Sequence, residues 1–365
     1  MIKNNASIWL KSFSSSQYSK KDIRVEEIAI PEVKKGEVLI EVDWCGICGS
    51  DLHEYLTGPI FIPEDSEHPI TNEKAPVVLG HEFAGTIKEI ADGVDKFKIG
   101  DKVTVEPIVS CGECIYCKSG DYHLCDKLGF HGLAGGGGGL AEYTIFSADK
   151  VHKLPEGMST KEGALIEPLA VASHSIRKAK FMQGETAAVL GAGPIGLSTI
   201  LALKAAGAQT IIAVEIAEKR KEFAKEFGAD LVLDPTEVDV VKEVYKYTSG
   251  IGVDASFETT GVEAGLKSAI NIARRGGKIV VTSIWEKAVN INFNDIVLTE
   301  KELIGTIAYR NGVFPTVSSL IEDGRIVADK MITSEISLDD IEEKGFKELI
   351  NNKNEHIKIL VSPKK

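Results

Sequence analysis

Cys111, Cys114, Cys117 and Cys125 are spaced C-x2-C-x2-C-x7-C. Zinc takes four ligands tetrahedrally, and thiolates this close in sequence can wrap one ion with a single loop. Four thiolates leave no coordination position for a substrate, so the expected role is structural, and His123 inside the loop reads as a loop residue rather than a ligand. The alternative, buried apolar or free thiols, suits the spacing poorly because unrelated core cysteines seldom fall at metal-binding intervals. A second set is more dispersed. Cys48-Gly49-Ser50-Asp51-Leu52-His53 places a thiol just after an apolar strand, and Gly80-His81-Glu82 places an imidazole after Pro76-Val77-Val78-Leu79. A thiolate, an imidazole and a carboxylate from separate segments match a catalytic zinc that keeps one position open. Taken singly, Cys48 also reads as a core residue and His81 as a hydrogen-bonded one, so spacing alone leaves both readings standing.

Gly191-Ala192-Gly193-Pro194-Ile195-Gly196 follows an apolar strand and opens a helix. Gly191 permits the tight turn, Gly193 lets backbone approach a pyrophosphate, Gly196 allows close helix packing, and free amides near Ile195 face the anion. Glu215 ends the next strand, 19 residues after Gly196. A carboxylate there accepts hydrogen bonds from a ribose diol and repels a 2′-phosphate, which favours NAD over NADP. Arg220 tempers that inference, since its guanidinium could pack beside adenine or assist a phosphate. A glycine-rich turn without a nucleotide is the bland alternative.

Two rhythms in the chain must position these residues. From Ala6 to Ala148 short Val-, Ile- and Thr-rich runs are broken by Gly, Pro and Asp, as in Glu37 to Val42, Gly85 to Ile90, Lys102 to Pro107 and Ala141 to Phe146. These are strand signals, and the glycine run from Gly135 to Gly139 reads as a flexible loop between them. From Thr186, short apolar strands alternate with helical patterns: Thr186 to Leu190 precedes Ile195 to Ala206, Thr210 to Val214 precedes Glu218 to Phe227, and Val253 to Glu258 precedes Glu263 to Arg275. Such alternation specifies parallel strands with crossover helices. The expectation is an α/β protein in which a β-rich domain, residues 1–170 and 309–365, is interrupted by a dinucleotide-type domain, residues 171–308. The tail strand Ile357 to Val361 returns to the first.

The sequence has 365 residues, enough for two domains, and 42 Lys and Arg against 54 Asp and Glu give a net charge of −12. No basic block offers a footprint for a phosphate backbone or an anionic membrane, and no apolar stretch reaches the roughly 18 residues of a membrane span. Nucleic acid and membrane are therefore not expected partners. Met1 to Lys20 is polar and Ser-rich, without the apolar segment of a secretory signal, so a cytoplasmic protein is expected. All six cysteines lie between Cys45 and Cys125, a clustering that reads as metal ligation rather than disulfides.

Together these residues resemble the zinc-dependent medium-chain alcohol and polyol dehydrogenases nearly end to end. Cys48-x-Ser50-Asp51-x-His53, Gly80-His81-Glu82, the four-cysteine lobe, Glu167-Pro168-Leu169-Ala170 and the Gly191 fingerprint come in that family's order. The resemblance implies a GroES-like catalytic domain with an inserted Rossmann-type, doubly wound domain, and two zinc ions per subunit. It also implies that Cys48, His81 and Glu167 bind the catalytic zinc, with Glu82 just outside and able to enter coordination. By the same resemblance Ser50 contacts the substrate oxygen and His53 ends a proton relay at solvent, through the nicotinamide ribose. Cys45 is not a ligand in the family.

Ethanol-oxidising members carry a cysteine as third ligand, so Glu167 looks like the sorbitol, threonine and butanediol branches. The segments Trp44 to Phe61 and Leu128 to Tyr143 look most like the butanediol (acetoin) dehydrogenases. The expectation is an NAD-dependent, homo-oligomeric secondary-alcohol dehydrogenase acting on a small diol or hydroxyketone, (R,R)-2,3-butanediol and acetoin. The alternatives are a sorbitol-type polyol or threonine dehydrogenase and, from another class, a non-catalytic nucleotide-binding zinc protein.

Overall fold

The computed structural model describes residues 11–30 and 32–364. The reading of Met1 to Lys20 thus falls partly, over residues 1–10, outside the described residues. The chain divides into two compact units: residues up to Glu167 with those from Ile332 onward, and Pro168–Met331.

Glu37–Gly46 is the central strand of the first unit, because Val38, Ile40 and Val42 alternate inward and are fully buried. Its antiparallel partners are Glu82–Ile90, Tyr143–Ser147 and Lys358–Ser362. Lys102–Val105 and Val151–Lys153 extend the sheet on one side and Ile332–Ser337 on the other. Phe83 and Phe146, two of the largest fully buried side chains, meet edge-on with centroids 5.4 Å apart. A separate hairpin, Lys11–Ser19 with Asp22–Ala29, turns at Lys21, whose φ is +59°, and pairs with Val77–Val78.

The glycine run is not the flexible loop its composition suggests. Cβ atoms on Gly138 and Gly139 would lie 2.3 Å from the Leu79 carbonyl oxygen and 2.5 Å from the Phe83 ring, so the run packs where no side chain fits. The segment before Val77 fastens it: Thr71 Oγ1 donates to the Ala134 carbonyl at 2.6 Å, and Gly136 N–H donates to Glu73 at 2.9 Å.

The second unit holds a parallel six-stranded sheet in the order Leu231–Leu233, Thr210–Val214, Thr186–Leu190, Val253–Glu258, Ala273–Val281, Glu302–Gly305. The two strands flanking the fingerprint turn are buried beyond their first residue, as parallel strands covered on both faces must be. Helix Pro194–Ala205 buries every residue from Gly196 to Leu203, while Glu218–Phe227 exposes its charged face and ends at Gly228 in the left-handed region. Residues 309–331 belong to this unit. Helix Val313–Glu322 buries Val313, Phe314, Val317 and Ile321, the Tyr309 ring packs 4.9 Å from Phe314, and Met331 Sδ lies 3.8 Å from Ser198 Oγ. The sequence division at 308/309 follows the end of the strand–helix rhythm, whereas packing continues to Met331.

Candidate metal and cofactor sites

The central strand delivers the chain to Cys48, the N-cap of helix Gly49–Thr57, and its register sets Gly46 opposite Glu82. That pairing brings Cys48, His81 and Glu82 together: one donor atom from each lies within 4.8 Å of the others. His81 Nε2 is 3.1 Å from Ser50 Oγ, and its Nδ1 is 3.4 Å from Asp51 Oδ1. The second contact lacks hydrogen-bond geometry and leaves both buried atoms without a hydrogen bond, so it acts as an electrostatic approach. The other Asp51 oxygen accepts the Cys48 N–H at 2.9 Å. Asp51, read from sequence as a loop anchor, therefore both anchors the loop and faces the histidine, the way an outer carboxylate orients a metal-binding imidazole.

Burial pulls the His81 pKa down, but Asp51 and then Cys48 outweigh it and push the value well above the ordinary range. The pocket attracts positive charge, and its donors, a thiol and an imidazole with a carboxylate beside them, suit zinc. Cys45, fully buried, stands apart with its pKa raised by burial.

Glu82 is held by Lys358, whose Nζ lies 2.7 and 2.8 Å from the two carboxylate oxygens and 3.3 Å from the Ile47 carbonyl. A Cβ on Gly46 would sit 2.4 Å from Glu82 Oε2, so glycine at that position keeps the approach open. Burial lowers the Lys358 pKa, and the charges of Glu82, Cys48 and Glu167 more than restore it, leaving it raised. Glu167, buried in the first turn of helix Ile166–Lys178, stands outside the tight group of three but shares its electrostatic neighbourhood.

Ser50 is half-buried and His53, three residues on along the same helix, is exposed. Glu54 beside it is fully buried and accepts the backbone N–H groups of Ile60, Phe61 and Ile62, which clamps the apolar turn after the helix. Sequence reasoning missed Glu54 and Lys358. Their signals were a carboxylate on the buried stripe Asp51, Glu54, Tyr55 and a lone lysine beginning a strand otherwise apolar until Ser362.

Cys111, Cys114, Cys117 and Cys125 bring one sulfur each within 4.8 Å of the rest, and His123 is not among them. Backbone amides point at the sulfurs: Cys111 Sγ accepts from Glu113 and Cys114 at 3.4 Å, and Cys125 Sγ from Cys111 and Lys127 at 3.3 Å. The Cys117 amide lowers the Cys114 thiol to about 6, while burial, with the neighbouring sulfurs, pushes Cys117 up to about 12. A divalent cation bound by all four would overcome that spread.

In the second unit Gly191 has φ +93°, and a Cβ on Gly196 would lie 2.0 Å from the Gly191 carbonyl oxygen. Gly193 N-caps helix Pro194–Ala205 without a side-chain cap, and the nearest atom to its missing Cβ is Arg220 Nη1 at 3.8 Å. First-turn amides without a side-chain cap are what a helix N-terminus offers an anion. Glu215 accepts N–H groups of Ala192 at 2.7 Å, Ile216 at 2.8 Å and Ala217 at 2.9 Å, so its carboxylate builds the turn after its strand and ties it to the fingerprint. Burial lowers the Arg220 pKa and the Glu215 charge acts against this.

Residues 34–156 match the family Alcohol dehydrogenase GroES-like domain, and residues 194–323 match Zinc-binding dehydrogenase. The chain belongs to the zinc-binding alcohol dehydrogenase family. It is 50% identical over 347 residues to (R,R)-butanediol dehydrogenase of Bacillus subtilis (strain 168), covering 95% of this chain and 98% of that protein. It is 43% identical over 348 residues to (R,R)-butanediol dehydrogenase of Neisseria gonorrhoeae, covering 95% and 98%. The crystal structure of 2R,3R-butanediol dehydrogenase from Bacillus subtilis superposes with a TM-score of 0.92 at 48% identity, covering 96% of this chain and 99% of that one. This family member is an α/β oxidoreductase that acts on a small molecule with zinc and a nicotinamide dinucleotide as cofactors. Among the described residues no helix is long and apolar enough to cross a membrane.

Proposed function

We propose that this dehydrogenase transfers hydride between NAD(H) and the carbinol carbon of (R,R)-2,3-butanediol, with acetoin as the oxidised product. The observation that carries the reaction is the group of Cys48, His81 and Glu82, with Ser50 on one nitrogen of His81 and Asp51 facing the other. Cys48, His81 and Glu167 would hold the catalytic zinc, with Glu82 drawn back by Lys358, and the four-cysteine lobe a structural one. Bound there, zinc supplies a fixed positive charge that makes a nearby hydroxyl acidic near neutral pH. Ser50 begins the path for the departing proton and exposed His53 ends it.

The diol assignment draws on the two relatives named for it and on the turn held by Glu54. If Pro59 to Ile62 lines the substrate region, it suits methyl groups, whereas a polyhydroxylated chain would lose water contacts without replacement. Glu215 favours NAD over NADP by repelling a 2′-phosphate. A homo-oligomer without nucleic-acid partners, working in the cytoplasm, agrees with the family resemblance, the acidic balance and six unpaired thiols. NADH formation from the separate 2,3-butanediol stereoisomers, sorbitol and threonine tests the proposal. The R,R diol should give the highest kcat/KM. Preference for sorbitol or threonine would move the chain to those branches, and preference for the S,S diol would remove the stereochemical assignment.

A further inference from the structure

The parallel sheet reverses its chain order between Thr186–Leu190 and Val253–Glu258. Ligands of such sheets bind outside the carboxyl ends of the strands at this switch point. One flank carries the fingerprint and Glu215. The other ends at Glu258, whose carboxylate is fully buried.

Glu258 Oε1 accepts the N–H of Thr260 at 2.7 Å, the N–H of Gly261 at 3.0 Å and the Thr260 hydroxyl, while Oε2 accepts the Ser283 hydroxyl from beyond the next strand. Thr259 Oγ1 donates to the Leu190 carbonyl at 2.8 Å, and a Cβ on Gly191 would meet Thr260 Cγ2 at 2.8 Å. A buried charge is costly unless donors surround it, and here the donors follow two adjacent strands, the first of which, Val253–Glu258, lies beside the fingerprint strand.

We propose that Glu258 is a positioning residue for the dinucleotide, fixing the backbone of Thr259 to Gly261 beside the glycine fingerprint and tying it to the Ser283 hydroxyl so that the cofactor meets a preformed surface. The inference rests on the reading of this unit as the nucleotide site. It assigns a role to a residue that touches loop backbone rather than the reacting atoms, and preorganisation lowers the ordering cost of binding.

The test uses full-length, zinc-loaded protein: Glu258→Ala, Glu258→Gln and Ser283→Ala, titrated with NADH by fluorescence, with kcat and the KM values for NAD and alcohol measured alongside. Glu258→Ala should raise the NADH Kd and the NAD KM at least about tenfold, with kcat and alcohol KM at saturating NAD within about twofold. Glu258→Gln should recover most of the affinity, because its amide still accepts from Thr260 and can donate to Ser283. Should the alanine variant fail to fold, Ser283→Ala carries the test and should weaken NADH about threefold. A folded Glu258→Ala with unchanged NADH affinity, a glutamine variant as impaired as alanine, or, where alanine does not fold, a Ser283→Ala variant that binds normally would overturn the proposal. An unmodified protein that binds no NADH would instead overturn the nucleotide reading itself.

Discussion

Lys358 and Glu82, separated by 276 positions, form a buried ion pair at 2.7 Å, with side chains 2% and 1% exposed. A buried pair of this kind is expensive to break and nearly neutral to replace as a unit, because removal of one partner strands the other's charge in a poor solvent. Lys358→Met alone should therefore cost about 3–5 kcal/mol of stability and weaken metal retention beside Cys48. Lys358→Met combined with Glu82→Leu should recover most of the stability. Urea midpoints decide it: equal losses in the single and double variants would show that the pair contributes no such penalty.

For the cofactor, Glu215→Gln is more informative than alanine, since its amide oxygen still accepts some of the N–H groups that the two carboxylate oxygens share among Ala192, Ile216 and Ala217. Loss of the charge should narrow the preference for NAD over NADP mainly through better NADP use. The check is kcat/KM with each cofactor, and equal efficiency in the unmodified enzyme would contradict the role given to the carboxylate.

His131 provides a pH test at a residue outside both groups of metal-binding side chains. Its Nδ1 lies 2.8 Å from the Gly136 carbonyl, its ring packs 4.1 Å from Phe146, and burial, opposed by that carbonyl, lowers its pKa to about 4. The folded value lies below the unfolded value of about 6.5, so the unfolded chain takes up the proton first. Stability from the neutral ring is complete above about pH 6.5 and is lost as pH falls toward 4, amounting to at most about 3 kcal/mol. His131→Gln, which keeps a donor for Gly136 and cannot titrate, should show a shallower fall over that window. Parallel stability profiles would contradict the assignment.

The strands Thr186–Leu190, Thr210–Val214 and Val253–Glu258 and the helix Glu218–Phe227 were legible because their apolar patterns change period cleanly at Gly, Asp or a charge. Lys11–Ser19 was not, since Ser15, Ser16 and Gln17 are buried polar residues inside a strand, and the short Leu231–Leu233 and Glu302–Gly305 carry too little pattern to register. The thiols and histidine of the site announce themselves by type. Lys358, Glu54 and Glu258 do not, because each owes its role to partners that only the fold supplies: a carboxylate from another strand, the amides of a turn, or the ends of neighbouring strands.

The four-cysteine lobe should supply folding free energy rather than activity. Cys114→Ser is expected to lose one zinc and lower Tm, with the metal near Cys48 retained. Metal analysis with thermal unfolding settles the point, and a variant that keeps both metals and its Tm would remove the structural assignment.

The central claim is that hydride leaves a secondary alcohol for NAD at the site built from Cys48 and His81. Its most direct test is NADH formation from (R,R)-2,3-butanediol by the unmodified protein and by Cys48→Ser. Robust NADH formation is expected in the first, and a loss of at least about a hundredfold in a folded second. Absence of NADH formation by the unmodified protein, or full activity in Cys48→Ser, would contradict it.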